Sequence, residues 1–489
     1  MPWGIFQGTL SIQDILGILY ILNIFFAGTV IFLERRNIAA TWAWLLILLF
    51  LPTVGFILYL IVGQNLSRRK IYKVKVDRLN EIRGILGRQF HLLEQGKIVY
   101  RDPAIANHHD MILMNLVSAY SLFTQNNRVE IFTDGNNKFD SLLEAIERAE
   151  DHIHLLYFIV RNDELGQRLI SALARKAREG VQVRFLFDHV GSRALPKRFF
   201  QELVDAGGEM AAFFPSRIPL INLRLNYRNH RKLAIIDGYE AYIGGFNIGN
   251  EYLGLVARFG FWRDTHLKLV GGAVQQIQVQ FLLDWNLASK SQVSIDSRYL
   301  PKPREGGNVG MQIIASGPDS EAEPIKNAYL KMIYAAKESI YLQTPYFIPD
   351  ESLLTALKLA SLSGVDVRIM IPQNPDHKLV YWASSSYLGD LLENGARCYL
   401  YDSGFLHAKT IVVDGRLGSV GTANMDIRSF RLNFEMNAFI YDTVTAARLK
   451  AIFEEDIKGC IELTREQYNK RPWQLRLKES LARLLSPVL

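Results

Sequence analysis

Apolar and polar residues are laid out along this chain in two quite different ways. From Ile15 to Leu33 there are 19 consecutive residues without a charge, and from Asn37 to Ser67 another 31. At about 1.5 Å of rise per residue, a helix of roughly 20 residues crosses the ~30 Å hydrocarbon layer of a bilayer. The pattern therefore predicts a two-helix transmembrane hairpin over residues 1–66. A secretory leader would carry a basic segment ahead of its apolar core, and Met1 to Asp14 contains neither Lys nor Arg.

Beyond Lys75 the pattern turns globular. Residues 67–125 mix polar and helical stretches and read as a connector. Helical spacing over Phe139–Ala149, a buried strand over Ile153–Val160, a helix over Leu165–Arg178 and a strand over Val181–Phe187 follow in order. The same order returns at Ala328–Ala336, Ile340–Ile348, Leu353–Leu362 and Val365–Ile371. Glu179-Gly180-Val181-Gln182-Val183-Arg184 is echoed by Ser363-Gly364-Val365-Asp366-Val367-Arg368. Alternating helices and apolar strands imply an α/β fold with central mixed sheets flanked by helices, built by duplication of one unit. The expected lobes are 126–288 and 310–455, joined by a Lys/Ser/Pro/Gly-rich linker over 289–309 and followed by an amphipathic C-terminal tail over 456–489.

Composition narrows the class without choosing a function. The 489 residues correspond to roughly three domains at about 150 residues each. With 49% apolar and 21% charged residues, an intrinsically disordered chain is excluded. The balance of 56 basic against 49 acidic residues gives a net charge of +7, which suits phosphate-bearing partners, whether nucleic acid or anionic lipid. Cys398 and Cys460 stand far apart with no Cys/His cluster near either, which argues against a disulfide framework and a structural zinc site. Arg68, Arg69, Lys70, Lys73 and Lys75 follow the second apolar run, against Arg35 and Arg36 in the turn between the runs. By the positive-inside rule the C-terminal lobes should be cytoplasmic.

One line of residues in each copy carries chemistry. His230, Lys232, Asp237, Gly244 and Asn247 recur as His407, Lys409, Asp414, Gly421 and Asn424, each at an offset of 177 residues. From average composition, one five-point match of this kind arises by chance on the order of 10⁻⁷ per start position. Residues i and i+2 of a strand face the same side, so each histidine points with its lysine. Each aspartate lies five residues past its lysine, at the opposite parity, and reads as a structural brace more than a proton carrier. Two imidazoles, two ammonium groups and two amides suit a phosphoryl group: one imidazole attacks, one protonates the leaving oxygen, and the cations and donors hold the remaining oxygens.

The paired His-x-Lys-x4-Asp lines resemble the phospholipase D superfamily, and within it the chain is similar to the bacterial cardiolipin synthases. Leu51-Pro52-Thr53-Val54-Gly55-Phe56-Ile57-Leu58-Tyr59-Leu60, Trp262-Arg263-Asp264, Thr344-Pro345-Tyr346-Phe347 and Leu484-Leu485-Ser486-Pro487 carry the likeness over nearly the whole length. The resemblance implies two phospholipase D-like lobes and metal-independent transphosphatidylation without a cofactor. A phosphatidyl group would pass through a phosphohistidine from one phosphatidylglycerol to another, giving cardiolipin and glycerol at the cytoplasmic membrane, with anionic lipids and no nucleic acid as partners. It makes His230, Lys232, Asp237, His407, Lys409 and Asp414 the catalytic motif, with Asn247, Asn424 and Thr422 as phosphate contacts. Gly245 departs from the small hydroxyl residue that Thr422 retains. A nucleophilic imidazole also needs an acceptor on its far nitrogen; the resemblance suggests crossed partners, Glu435 on His230 and Asp264 on His407.

Hydrolysis by a phospholipase D, cleavage of a nucleic-acid phosphodiester and a non-catalytic scaffold are the other readings. The intact motifs speak against the scaffold, and the apolar anchor against the nuclease. Two further stretches interleave apolar and basic residues, 213–227 just ahead of His230 and Arg471–Leu485 in the tail. Either could lie on an anionic membrane or pack on the protein's own core.

Overall fold

The computed structural model describes residues 12–33, 38–51, 54–57, 59, 83–215, 227–304, 306–320 and 322–486. Two compact units emerge, one made of residues 1–73 with 216–226 and the other of the rest.

In the first unit the helix Ile12–Leu33 packs on the helix Ile38–Phe50. Val30, Leu48 and Tyr59 are buried between them, with the rings of Phe26 and Phe56 stacked at 3.9 Å. Much of the remaining apolar surface faces outward: Ile21, Phe25, Trp42, Leu49 and Phe50 are all exposed. Among the described residues no helix is long and apolar enough to cross a membrane. The helix in the second expected span is 13 residues long, about 20 Å, short of the ~30 Å hydrocarbon layer.

The second unit holds a 15-stranded sheet whose strand order displays the duplication. Thr124–Phe132 and Val309–Ser316 pair antiparallel at the centre. Outward from the first run His266–Val270, Glu240–Gly244, Leu233–Ile236, His152–Tyr157, Gln182–Asp188 and Glu209–Phe213. Outward from the second run Glu435–Tyr441, Leu417–Gly421, Thr410–Val413, Ser339–Gln343, Asp366–Pro372 and Arg397–Tyr401 in the matching order, with Cys460–Leu463 as an additional edge strand. The echoed words are explained by their glycines. Gly180 and Gly364 each sit at a left-handed φ (+94° and +90°) where a helix ends and the next strand begins. The predicted strand Ile340–Ile348 is interrupted at Thr344-Pro345, where a ladder donor is lost; the sheet keeps Ser339–Gln343, and Phe347–Ile348 pairs instead with Met425–Asp426. Helices in both lobes begin at aspartates, Asp134, Asp163, Asp350 and Asp442, whose side chains accept a first-turn N–H.

The segment read as a connector is more than that. Its helices Arg83–Glu94 and His109–Ala119 place Leu86, Leu93, Met111, Ile112 and Leu116 in the core of the second lobe, against Tyr329, Met332 and Tyr441. The 289–309 linker has no helix or strand in its described part before Val309, but Arg298 pairs with Asp151 and the Tyr299 hydroxyl reaches Gln182, tying it to the first lobe. In the tail, the helix Trp473–Leu484 lies along Lys378–Leu392 through Arg483–Asp390 and a Tyr387–Ser486 hydrogen bond. Its apolar residues Trp473, Leu477, Leu481 and Leu484 stay exposed, from 50% to 77%. Of the stretch 213–227, residues 216–226 lie outside the described residues; Phe213, Phe214 and Tyr227 at its ends are buried.

Candidate active site

The two motif strands lie at equivalent places in the two lobes, and the backbone crosses between lobes at both histidines. The N–H of His230 donates to the carbonyl of Phe434, and the N–H of Phe434 to the carbonyl of Arg228. That pairing leads directly into Glu435. In the mirror arrangement the His407 N–H donates to the Arg263 carbonyl, while Phe405–Leu406 pairs in parallel with Trp262–Arg263. That pairing leads into Asp264.

The side chains complete the crossing. His230 Nδ1 lies 3.0 Å from Glu435 Oε2 and 3.2 Å from the Thr422 carbonyl. His407 Nδ1 lies 2.6 Å from Asp264 Oδ2. A carboxylate only accepts, so each Nδ1 carries its proton and each Nε2 presents a lone pair to the site. The histidines are 9% and 8% exposed, whereas both carboxylates are fully buried. Burial opposes the charge on Asp264 and Glu435, yet His407 with Lys409 and His230 with Lys232 outweigh it and hold both acids below their usual range. Burial, reinforced by Lys409 and opposed by Asp264, pushes His407 down to about 4. Burial also lowers His230, against the pull of Glu435. The site thus keeps both imidazoles neutral.

Lys232 and Lys409 are buried, and each Nζ donates to the main-chain carbonyl of its own histidine, which holds the ammonium beside the imidazole. Desolvation takes them down to about 7 and about 8. Arg231, of opposite parity to its two neighbours, points away into an ion pair with Asp284 at 2.5 Å and donates to the Glu435 and Ser316 carbonyls. It stitches the lobes together behind the site; removing one partner of such a buried pair costs about 3–5 kcal/mol.

The other expected site residues occupy distinct places. Asp237 and Asp414 sit in left-handed turns (φ 52° and 53°), each accepting three backbone N–H groups: from Glu150, Asp151 and His152 in one lobe, from Lys337, Glu338 and Ser339 in the other. They brace the motif strand against the strand beside it. Asn247 accepts from the Ile159 N–H and donates to Tyr252, and Asn424 hydrogen-bonds Asp426, so both amides are partly committed within the protein. The Thr422 hydroxyl donates to Glu435 Oε2 at 2.6 Å and accepts from the Met436 N–H, so it holds the carboxylate instead of reaching toward phosphate. Gly245 is its equivalent, with a matching N–H bond to Thr265. A Cβ there would lie 1.9 Å from Asp264 Oδ1. The missing hydroxyl is the space that the shorter carboxylate occupies.

Sequence reasoning missed Tyr252 and Asn433. Tyr252 orients Asn247, and Asn433 adds a 3.3 Å contact to Glu435 Oε1.

Comparison with known proteins agrees with this arrangement. Residues 142–285 and 329–457 match the family described as "Cardiolipin synthase, PLD-like domain", and residues 21–64 match "Phospholipase_D-nuclease N-terminal". The chain is 54% identical to the major cardiolipin synthase of Bacillus subtilis over 482 residues, covering 98% of this chain and all of that one. It is also 54% identical to a cardiolipin synthase of Listeria monocytogenes over 476 residues, 97% of this chain and 99% of the other. Among solved structures, a phosphatidylserine synthase of Haemophilus influenzae superposes with a TM-score of 0.59 at 15% identity, over 78% of this chain and all of that one. That likeness is one of fold.

Proposed function

The chain belongs to the phospholipase D-like cardiolipin synthases, phosphatidyltransferases of phospholipid synthesis, and from that premise we propose that it transfers a phosphatidyl group between two phosphatidylglycerols through a phosphohistidine on His230. The observation that carries this reading is the pair of crossed histidine–carboxylate contacts, which turns two neutral Nε2 atoms toward one site.

In the first step His230 Nε2 forms a bond to phosphorus, the P–O bond to glycerol breaks, and His407 gives the glycerol oxygen its proton. In the second step His407 takes the proton from the incoming hydroxyl, whose oxygen bonds to phosphorus as the P–N bond breaks. Lys232 and Lys409 balance the charge on the phosphoryl oxygens. The assignment of roles draws on the difference between the two carboxylates. Asp264 gives Oδ2 to His407 alone at 2.6 Å while its Oδ1 accepts the Thr265 N–H, whereas Glu435 Oε2 is shared between His230 and Thr422 and its Oε1 accepts from Asn433. A concentrated carboxylate favours an imidazolium, hence the acid. Lys409 works against that proton; the charge of a substrate phosphodiester beside Lys409 offsets this and lets His407 take it up.

Membrane attachment through residues 1–66 with cytoplasmic lobes is part of the same proposal. The exposed apolar surface of Ile12–Leu33 and Ile38–Phe50 and the cations from Arg68 to Lys75 support it. So does the outward apolar stripe of the tail helix with its nearby basic residues, which suits an anionic interface.

Trapping the intermediate tests the chemistry. In His407→Ala, a phosphatidyl ester with a good leaving group needs no acid and should still label His230. In His230→Ala no adduct should form. Label on His407 in the His230→Ala protein would reverse the roles.

A further inference from the structure

The repeat delivers one carboxylate to each motif histidine, but what fixes each carboxylate from behind does not repeat. Arg231 donates to the Glu435 carbonyl at 3.1 Å while paired with Asp284. Arg263 donates to the Asp264 carbonyl through Nη1 while paired with Asp456. The two arginines stand at unrelated positions. Ala408 follows His407 where Arg231 follows His230, and Phe434 precedes Glu435 where Arg263 precedes Asp264. Their aspartates come from equivalent helices, Ala273–Ala288 after the strand His266–Val270 and Thr443–Ile457 after the strand Glu435–Tyr441. One arrangement has thus been built twice from arginines that duplication did not supply, which points to a demand made by the carboxylates themselves.

Arg263 holds both members of the contact between His407 and Asp264. Its carbonyl accepts the His407 N–H at 2.7 Å, and its guanidinium reaches the Asp264 carbonyl and, at 3.1 Å, the Thr265 hydroxyl. With its carbonyl held there and Oδ1 held by the Thr265 N–H at 2.7 Å, Asp264 turns Oδ2 to His407. Asp456 grips the guanidinium at two points, Oδ1 on Nε at 2.9 Å and Oδ2 on Nη2 at 2.7 Å. Asp456 Oδ2 also accepts from Gln343 Nε2 at 2.7 Å, and Gln343 Oε1 accepts from the Thr410 hydroxyl at 3.0 Å. Thr410 follows Lys409 on the motif strand. Arg263, Gln343 and Thr410 are all buried, so the network is strong in proportion to its dryness.

We propose that Arg263 and Asp456 are positioning residues for His407: the pair fixes the main chain of Asp264 so that Oδ2 meets the imidazole at bonding distance. Gln343 ties the same aspartate to the strand that carries His407 and Lys409, so carboxylate and histidine share one anchor. Asp456 acts through Arg263 and not on the imidazole itself. A shift of about 1 Å at such a contact is enough to slow a reaction that depends on it. This inference rests on the reading of His407 as the acid and base of phosphatidyl transfer.

Full-length wild type and variants are compared in mixed micelles on two substrates: phosphatidylglycerol, whose glycerol needs a proton to leave, and an aryl phosphatidyl ester, whose phenol does not. Asp456→Asn should lower glycerol release about tenfold, the factor for one hydrogen bond to a charged group, and leave the phenol burst within about threefold. That variant also leaves a buried guanidinium unpaired and lowers the thermal midpoint, so Arg263→Met combined with Asp456→Leu is measured beside it. Apolar residues of similar volume commonly match the stability of a buried ion pair, but they cannot hold the Asp264 carbonyl. The combined variant should therefore keep the tenfold loss on phosphatidylglycerol alone. Recovery of glycerol release in it would mark the pair as structural only and overturn the proposal, as would equal losses on both substrates or an unchanged Asp456→Asn. A wild-type enzyme that releases no glycerol would instead refute phosphatidyl transfer, and this inference with it.

Discussion

Replacing Gly245 by alanine should disable the enzyme through the histidine of the other lobe. The new Cβ would lie 1.9 Å from Asp264 Oδ1, and ordinary contact begins near 3.4 Å. The carboxylate must therefore retreat by about 1.5 Å, which stretches its 2.6 Å bond to His407 to about 4 Å and breaks it. A misplacement of about 1 Å near reacting groups costs on the order of 10²-fold in rate. That loss should be selective. With phosphatidylglycerol the leaving glycerol needs a proton from His407, so turnover should fall about 10²-fold. With an aryl phosphatidyl ester the leaving group departs unaided, so the burst of released phenol should stay within about threefold. The two substrates are compared at matched detergent, with the thermal midpoint recorded for each protein. Equal losses on both substrates would refute the reasoning, and so would a fully active Gly245→Ala.

Thr422→Val should lower the thermal midpoint and slow adduct formation at His230 about tenfold, with Thr422→Ser restoring both, since the hydroxyl satisfies the buried Glu435 and the Met436 N–H; a silent Val variant would disprove the brace. His407 is held near 4 against about 6.5 when unfolded, so the unfolded chain binds the proton more readily between those values. The stability from the neutral imidazole is complete above pH 6.5 and lost as pH falls toward 4, so the midpoint of the wild type should drop more steeply there than that of His407→Gln; parallel curves would contradict it. With Lys232 near 7 and Lys409 near 8, kcat/KM should decline as pH rises past about 7, and a flat alkaline limb would show that the ammonium charge is not needed. Because two lysines supply the positive charge, activity should survive EDTA; loss on chelation with recovery on one divalent ion would sink the mechanism. A cysteine at Lys331 should resist membrane-impermeant thiol reagents in intact cells, and ready labelling would reverse the topology.

Sequence made the duplicated α/β framework and the motif residues legible because both rest on short periodicities: parity along a strand, and one offset repeated at five positions. The crossed carboxylates could be suggested only by family resemblance, because Asp264 and Glu435 follow their own histidines at different intervals, 34 and 28 residues. Nothing local says that each serves the other lobe. The commitment of Thr422 to Glu435 was hidden for a similar reason. A hydroxyl beside a phosphate site reads as a phosphate donor until the buried acid behind it is seen. The helices of residues 83–119 read as a connector because they lie outside the repeated order of elements, and their destination in the second lobe's core depends on contacts more than 200 residues away in the chain.

The diagonal wiring of the site alters what counts as a part. The lobes repeat in sequence, yet neither is a module: the first half of the chain carries helices that complete the core of the second, and each half holds the carboxylate that contacts the other's motif histidine. Recombination between relatives at the linker would preserve both repeats and still mismatch both histidine–carboxylate pairs. The unit of exchange is a diagonal, His230 with Glu435 and Thr422, or His407 with Asp264 and Gly245. Substitutions drifting into one copy must therefore be compensated in the opposite copy, and divergence between the two halves is constrained across the molecule instead of along it.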